Sequence, residues 1–241
     1  MGIQNNLTRI MVRALERQGY HVSPNRMMGD RFRTLVPSPD MVIDVGVGPG
    51  TPWLYGAFPE LPFLLVDPMV EAKAQVAETY PALASEFFAT ALGEAEGSVT
   101  LNIPHKRGVA HGPMASIFNR SDSLMSKVTG FDKREVPVTT LDALVGERSG
   151  RFGLKIDAEG AETQVLRGAA RTLERCDFVV VELSLSQRFD EVEAPSTVIS
   201  LLAEAGLEFR DVLEMNGETA ALSPRHIDAL FTRWPARQNI H

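Results

Sequence analysis

The stretch that most restricts what this chain can fold into is Met41–Pro52, MVIDVGVGPGTP. Met41, Val42, Ile43 and Val45 form a short apolar run, with Asp44 inside it, of the kind found in a buried parallel strand. Gly46, Gly48 and Gly50 follow on alternate positions. Thr51 then offers a capping hydroxyl, and Pro52 suits the first helical position, where its missing N–H costs nothing. A strand that turns into a helix through glycines lets backbone approach a ligand closely and aims free N–H groups at it.

The spacing bears on which ligand. The dinucleotide fingerprint G-x-G-x-x-G uses its third glycine to pack helix on strand. Counted from Gly46, that position is Thr51. A G-x-G-x-G turn behind a strand carboxylate resembles instead the first motif of S-adenosylmethionine-dependent methyltransferases. That reading places Asp44, Gly46, Gly48, Pro49 and Gly50 at a cofactor. A second buried strand, Phe63–Val66, ends in Asp67-Pro68. An acid there, about twenty residues past the first glycine, is where a ribose diol is gripped. Its two oxygens accept from both hydroxyls and repel a 2′-phosphate. The competing reading makes Asp67 a cap for the next helix, Met69–Thr79. Ser85–Leu92 reads as a third strand closed by Gly93. Ligands of open parallel sheets lie beyond the carboxyl ends of the strands, so Thr90 and Ala91 fall beside an adenine ring.

Before and after this core the pattern is more ordinary. Leu7, Ile10, Met11, Ala14 and Leu15 recur at helical spacing over residues 6–18, with Gly19 as a stop. This helix and a lead-in with a short strand or two are expected to pack on the core as residues 1–38, leaving 39–241 as the main domain; a lid or dimer contact is the sharper reading. Ser98–Ile103 alternates like a hairpin arm. The following loop, with His105, Lys106, Arg107 and His111, suits a lid or acceptor wall. Its basic pair is either solvated or a holder of acidic groups. Glu135–Leu144 gives a strand, then Thr140 as a helix cap. In Gly153–Gly168, GLKIDAEGAETQVLRG, Leu154 and Ile156 are buried strand positions, while Lys155 and Asp157 share the opposite face. Glu159-Gly160 opens a helix with Val165, Leu166, Ala169, Ala170 and Leu173 as its stripe. Glu159 and Glu162 suit a helix N-terminus. Asp177–Leu185 is a β-branched strand ending in Glu182 and Ser184, and Ala194–Ala205 is a helix stopped by Gly206. Glu208–Met215 and His226–Trp234 form a closing antiparallel hairpin. The expected fold is α/β: one Rossmann-like domain with about seven mostly parallel strands and helices on both faces.

Bulk properties exclude several classes. A net charge of −7 over 241 residues is no electrostatic match for nucleic acid or an anionic membrane. A lone cysteine, Cys176, excludes an internal disulfide framework and a cysteine-rich zinc site, and fits a reducing cytoplasm. No apolar run approaches a membrane span. Arg9, Arg13, Glu16 and Arg17 interrupt any signal-peptide core.

IDVGVGPGT, LLVDP, ATALGEAEGSVTL, EVPVTTLDAL, LKIDAEGAETQVLRGA and VVVELSL occur in that order. Together they resemble the FkbM-type family of S-adenosylmethionine-dependent methyltransferases over roughly residues 40–232, and Ile227–Phe231 resembles that family's last strand. The family often has Ala-Asn where this chain has Val47-Gly48-Pro49, and glutamate where it has Asp67. Both exchanges keep a tight turn and a carboxylate. The resemblance implies methyl transfer, mostly to oxygen on sugars, glycans or secondary metabolites, with a small-molecule or carbohydrate acceptor.

Methyl transfer from a sulfonium is an in-line displacement in which protein positions the reactants and excludes water. A hydroxyl acceptor also needs its proton taken. Asp157 and Glu182 fall at the mouths of adjacent strands, with Glu159 just beyond, and one of the three is expected to act as a base raised by burial and like charge. The same three could ligate Mg²⁺ or face the cofactor's positive charge. Two other classes stay open. A non-catalytic module binding S-adenosylmethionine or a nucleotide would lack acids at these strand ends. An NAD-dependent sugar-modifying enzyme would show Tyr-x-x-x-Lys, which none of Tyr20, Tyr55 and Tyr80 provides. Acceptor identity and homo-oligomerisation are not legible here.

Overall fold

The computed structural model describes residues 2–19, 25–120, 125, 127–216 and 224–234. Helix α1 (Gly2–Arg17) forms, but Ile10 and Met11 are each 64% exposed, so the apolar stripe is not covered where its side chains are described. Of the lead-in expected to hold strands, residues 20–24 lie outside the described residues, and the remainder carries a short helix, α2 (Gly29–Arg33). A Cβ on Gly29 would stand 2.7 Å from the Gly56 carbonyl carbon, so α2 packs backbone to backbone on the helix that follows the glycine turn. That approach buries Phe32, which meets Trp53, Phe58 and Phe178 edge to face.

The core then runs β1 (Met41–Val45), α3 (Pro52–Ala57), β2 (Phe63–Val66), α4 (Val70–Thr79) and β3 (Ser85–Phe88). After an inserted sheet come α5 (Leu141–Val145), β8 (Phe152–Ile156), α6 (Glu162–Arg167), α7 (Ala170–Leu173), β9 (Cys176–Ser184), α8 (Pro195–Glu204), β10 (Leu207–Asn216) and β11 (His226–Arg233). The main sheet has seven strands among the described residues, ordered β10-β11-β9-β8-β1-β2-β3. β11 runs antiparallel to both neighbours, as the hairpin expectation required, and the remaining pairings are parallel. Both faces are covered, so strands such as β2 and β8 are buried throughout and read as near-continuous apolar runs. One face packs Ile43, Leu154, Val179 and Phe231 against α6 and α8. The other packs Val42, Phe178, Val180 and Leu230 against α2 and α3.

Ser85–Leu92 is not one strand. The chain leaves the main sheet after Phe88; Thr90 Oγ1 donates to the Pro137 carbonyl at 2.9 Å, and β4 (Ala91–Leu92) pairs with Val138 and Thr139. β4 belongs to a second sheet ordered β4-β7-β5-β6, with β5 (Gly97–Lys106), β6 (Val109–Ala110) and β7 (Val128–Thr139). The hairpin arm therefore extends beyond Ser98–Ile103, and its partner begins at Val128 rather than Glu135. Most side chains of the first half of β7 are half-buried or exposed, which leaves little apolar alternation to read. The helix expected from Glu159-Gly160 starts at Glu162 and breaks at Gly168, where a Cβ would lie 2.0 Å from the Gly93 carbonyl oxygen. Ala170 consequently faces solvent, while Val165, Leu166, Ala169 and Leu173 are buried. Thr140 caps α5 by accepting from Ala143 N–H at 3.0 Å, whereas Thr51 occupies the N-cap of α3 without a side-chain cap. No helix among the described residues is long and apolar enough to cross a membrane.

Candidate active site

The glycine turn is wedged between the ends of β2 and β8. Gly46 N–H donates to the Val66 carbonyl at 2.9 Å, and its φ is +73°. A Cβ there would come within 1.7 Å of the Asp157 carbonyl oxygen, so only glycine fits. At Gly50, φ is +112° and a Cβ would meet the Tyr80 ring at 2.5 Å.

Asp67 ties this turn to the second strand. Its Oδ2 accepts from Gly48 N–H at 2.8 Å and its Oδ1 from Met69 N–H at 2.7 Å. The carboxylate thus serves the helix start and the cavity together, because each oxygen keeps a further lone pair. Burial raises its pKa, and the two backbone donors pull it back.

Asp44 supports the turn from beneath. It is fully buried and does not line the cavity, so this residue, grouped with the cofactor turn in the sequence, lies beneath that turn. Tyr55 donates its hydroxyl to Asp44 Oδ2 at 2.8 Å, and Lys155 Nζ lies 3.3 Å from Oδ1. Lys155 also donates to the Gly46 carbonyl at 2.8 Å and stands 3.6 Å from Asp157. Burial works against its charge, but Asp44 and Asp157 outweigh that and hold its pKa above the usual value.

The three acids expected to act together separate. Asp157 and Glu159 line the cavity; Glu182 does not. Glu182 is ion-paired with Arg188 and lies 3.1 Å from His226 Nε2. Burial and then Asp157 push its pKa well up, against the pull of Arg188. Burial and the charge of Arg188 push His226 down to about 4, so the imidazole is neutral at pH 7. Glu159 is ion-paired with Arg120 in a backbone of φ +47°, while Ser116 Oγ donates to its carbonyl at 2.7 Å. Burial and Asp157 push the Glu159 carboxyl up to about 7, against Arg120. Glu162 accepts from the Ala158 and Gly160 N–H groups at 3.1 Å each, folding the turn that carries Glu159. A Mg²⁺ site on Asp157, Glu159 and Glu182 is not supported. Each faces a basic side chain already, and among the described residues no cluster of three metal-binding side chains occurs. His105, expected in a loop, lies in β5 and faces Asp132 at 2.9 Å.

What the strand ends enclose is a cavity of about 370 Å³. Gly46, Gly48, Pro49, Gly50, Asp67 and Pro68 line it, as do Thr90, Ala91, Asp157 and Glu159. Gly112, Pro113 and Ala115–Ile117, at the end of the loop read as a lid or acceptor wall, line one side of it. Sequence reasoning missed Met27, Trp53, Val180, Glu214 and Asp228, which also line it. The available signal for Asp228 was a lone acid in an otherwise apolar strand segment, IDALF. Burial first, then Asp157 and Glu214, push its carboxyl up to about 7.

Comparison with known proteins agrees with this architecture. A family described as the methyltransferase FkbM domain matches residues 60–209, more than half of the chain. Among solved structures, methyltransferase FkbM from Methylobacillus flagellatus KT is similar at 14% identity with a TM-score of 0.51, over 87% of this chain and 48% of that one. The chain thus spans about half the length of that protein. TehB from Haemophilus influenzae aligns at 11% identity and a TM-score of 0.46, over 91% of this chain and 65% of that one. Magnesium protoporphyrin IX methyltransferase from Synechocystis PCC 6803, solved with bound SAM, aligns at 11% identity and a TM-score of 0.43, over 96% and 80% of the two chains. Among curated proteins no significant match is found.

Proposed function

The chain belongs to the FkbM methyltransferase family, and from that premise we propose that it transfers a methyl group from S-adenosylmethionine to a hydroxyl on a sugar, glycan or secondary metabolite. The observation that carries this reading is the single cavity bounded by the glycine turn, Asp67 and Asp157. The residues fit the cofactor. A turn in which a Cβ on Gly46 would strike the Asp157 carbonyl brings bare backbone to the cavity, and Asp67 stands at the tip of the second strand.

In this reading Gly46, Gly48, Pro49 and Gly50 present backbone to the methionine part. Asp67 and Pro68 hold the ribose, with the spare lone pairs of Asp67 accepting from its hydroxyls. Thr90 and Ala91 lie along the adenine. Asp157 faces the positive sulfur, and Lys155, 3.6 Å away, holds its carboxylate in place. When bound, S-adenosylmethionine supplies an electrophilic methyl on a sulfur that is already a good leaving group. The protein's own tasks are to align the hydroxyl, to keep water out behind the 112–117 wall, and to accept a proton.

Calorimetric titration with S-adenosylmethionine and S-adenosylhomocysteine tests the reading. The wild-type protein is expected to bind both, and Asp67→Ala to bind each more weakly by about 1–3 kcal/mol, the range for a hydrogen bond to a charged group. Binding of neither compound by the wild type, or of a nicotinamide dinucleotide in their place, overturns it.

A further inference from the structure

The cavity reaches well beyond what the cofactor residues explain. From β2, which carries Asp67, to β11, which carries Asp228, the sheet crosses β1, β8 and β9. At a strand spacing of about 4.8 Å this is roughly 19 Å of sheet. The far end lies on the sheet face that carries α2 and α3. Lys155 is in register with Val180, Val180 with Leu230, and Asp228 with Glu214. Side chains two residues apart on a strand share a face, so Lys155, Val180 and Asp228 form one floor. Met27 and Trp53 are among the apolar side chains lining the same cavity, and both pack on the core cluster of this face, which holds Val180 and Leu230.

Pairing separates Asp228 from the other acids nearby. Asp157 stands by Lys155, Glu159 is held by Arg120, and Glu182 is held by Arg188. A carboxylate whose oxygens are engaged by a cation has fewer free lone pairs with which to take an acceptor's proton. Among the described residues the Asp228 carboxylate has electrostatic neighbours, with Lys155 and Arg188 the cations among them, and no side-chain hydrogen bond. The charged and titratable groups around it are Lys155 from β8 and Asp157 just past its end, Glu214 from β10, Glu182 and Arg188 from β9 and its following loop, and the neutral His226 on its own strand. Burial and the acids hold its proton on, and Lys155 and Arg188 pull the other way.

We propose that Asp228 is the proton acceptor of the reaction, and that an uncharged polyhydroxylated acceptor sits between it and the Trp53 and Met27 side chains. The proposal rests on the methyl-transfer reading. The acceptor oxygen forms its new bond to the methyl carbon with a lone pair, and the electrons of the broken carbon–sulfur bond stay on sulfur, which becomes a neutral thioether. The hydroxyl proton passes to the Asp228 carboxylate and leaves to water after the product. Anionic acceptors are disfavoured, because Asp157, Glu159, Glu214 and Asp228 all line the cavity and the only cationic residue lining it among the described residues, Lys155, is turned to Asp44 and the Gly46 carbonyl.

Proton-linked calorimetry reads this directly. S-adenosylmethionine is a cation at sulfur and S-adenosylhomocysteine is not, so the first should drive the proton off Asp228 and the second should not. Titrations at pH 7 in two buffers of different ionisation enthalpy should show more protons released with S-adenosylmethionine in the wild type. Asp228→Asn should abolish the difference with homocysteine-product affinity changed less than twofold, and Asp228→Glu should restore it. The same difference in Asp228→Asn as in the wild type overturns the assignment while leaving the methyltransferase reading intact. Failure of both compounds to bind the wild type overturns both.

Discussion

At one end of the cavity a ligand faces backbone, and at the other it faces side chains. The β2 end is a turn between two strand tips, shaped by glycines and held by one acid with two N–H groups. Towards β11 the cavity is lined by Val180, Glu214 and Asp228, brought together from β9, β10 and β11, with Met27 and Trp53 packed on the same sheet face. Backbone shape admits almost no exchange of residues, because a methyl group at Gly46 has nowhere to go. A side-chain surface can be altered one residue at a time without disturbing the strands beneath it. A common cofactor suits the first construction and a variable acceptor suits the second.

Gly46→Ala is the hardest test of that difference. It combines a left-handed backbone with a contact of 1.7 Å to a carbonyl oxygen that the β8 end cannot withdraw. The expected loss exceeds about 4 kcal/mol, the range reserved for severe core or backbone faults. Thermal unfolding should show a collapsed or absent transition. A variant with near-native stability would mean that the turn is not wedged as described.

Glu182→Ala separates structural acids from chemical ones. Glu182 neutralises the buried Arg188 and lies outside the cavity. Removing one partner of a buried pair costs about 3–5 kcal/mol, so denaturant midpoints should fall strongly while S-adenosylhomocysteine still binds. A lost affinity with retained stability would return Glu182 to the site.

The two ends differ in how much of them could be read beforehand, and the reason is distance along the chain. The backbone-built end is written in MVIDVGVGPGTP and LLVDP, so strand, turn and acid follow from local spacing. Asp157 was legible for the same reason, since it ends a strand. Glu182 was misplaced because strand position alone cannot show that Arg188 would claim it. Asp228 gave only a lone acid among apolar neighbours, and its meaning depends on β8 and β10 lying beside β11. Thr90 hid the break between β3 and β4, because the bond that diverts the chain goes to Pro137, in a different strand. Helix α1 shows the limit from the other side: its periodicity was clear, yet periodicity does not say what covers the stripe.

Asp228→Asn should also leave a mark on stability. The Asp228 carboxyl, ordinarily near 3.8, is pushed up to about 7 in the folded chain. Between those values the folded state binds a proton that the unfolded state has released, so stability falls as pH rises across that window. The contribution is full below the lower value and gone above the upper. Removing it should flatten the wild-type curve between pH 4 and 7 by no more than about 1.4 kcal/mol per pH unit, the limit for one proton. Superimposable curves would show that Asp228 titrates normally.

The smallest expected effect concerns the wall that closes the cavity. Ser116 Oγ donates to the Glu159 carbonyl at 2.7 Å and accepts from Phe118 N–H at 3.0 Å, tying the 112–118 segment to the turn that follows β8. Ser116→Ala removes both, at about 1 kcal/mol for each neutral bond lost. Arg120 still pairs with Glu159, so the wall keeps a second anchor and the main sheet is untouched. The loss should therefore be local: amides of residues 112–118 should exchange several-fold faster with solvent, while the strands of the main sheet keep their protection. Faster exchange throughout the sheet would instead make the wall part of the domain's cooperative core, and the contrast between a rigid backbone-built end and an adaptable side-chain-built end would have to be drawn elsewhere.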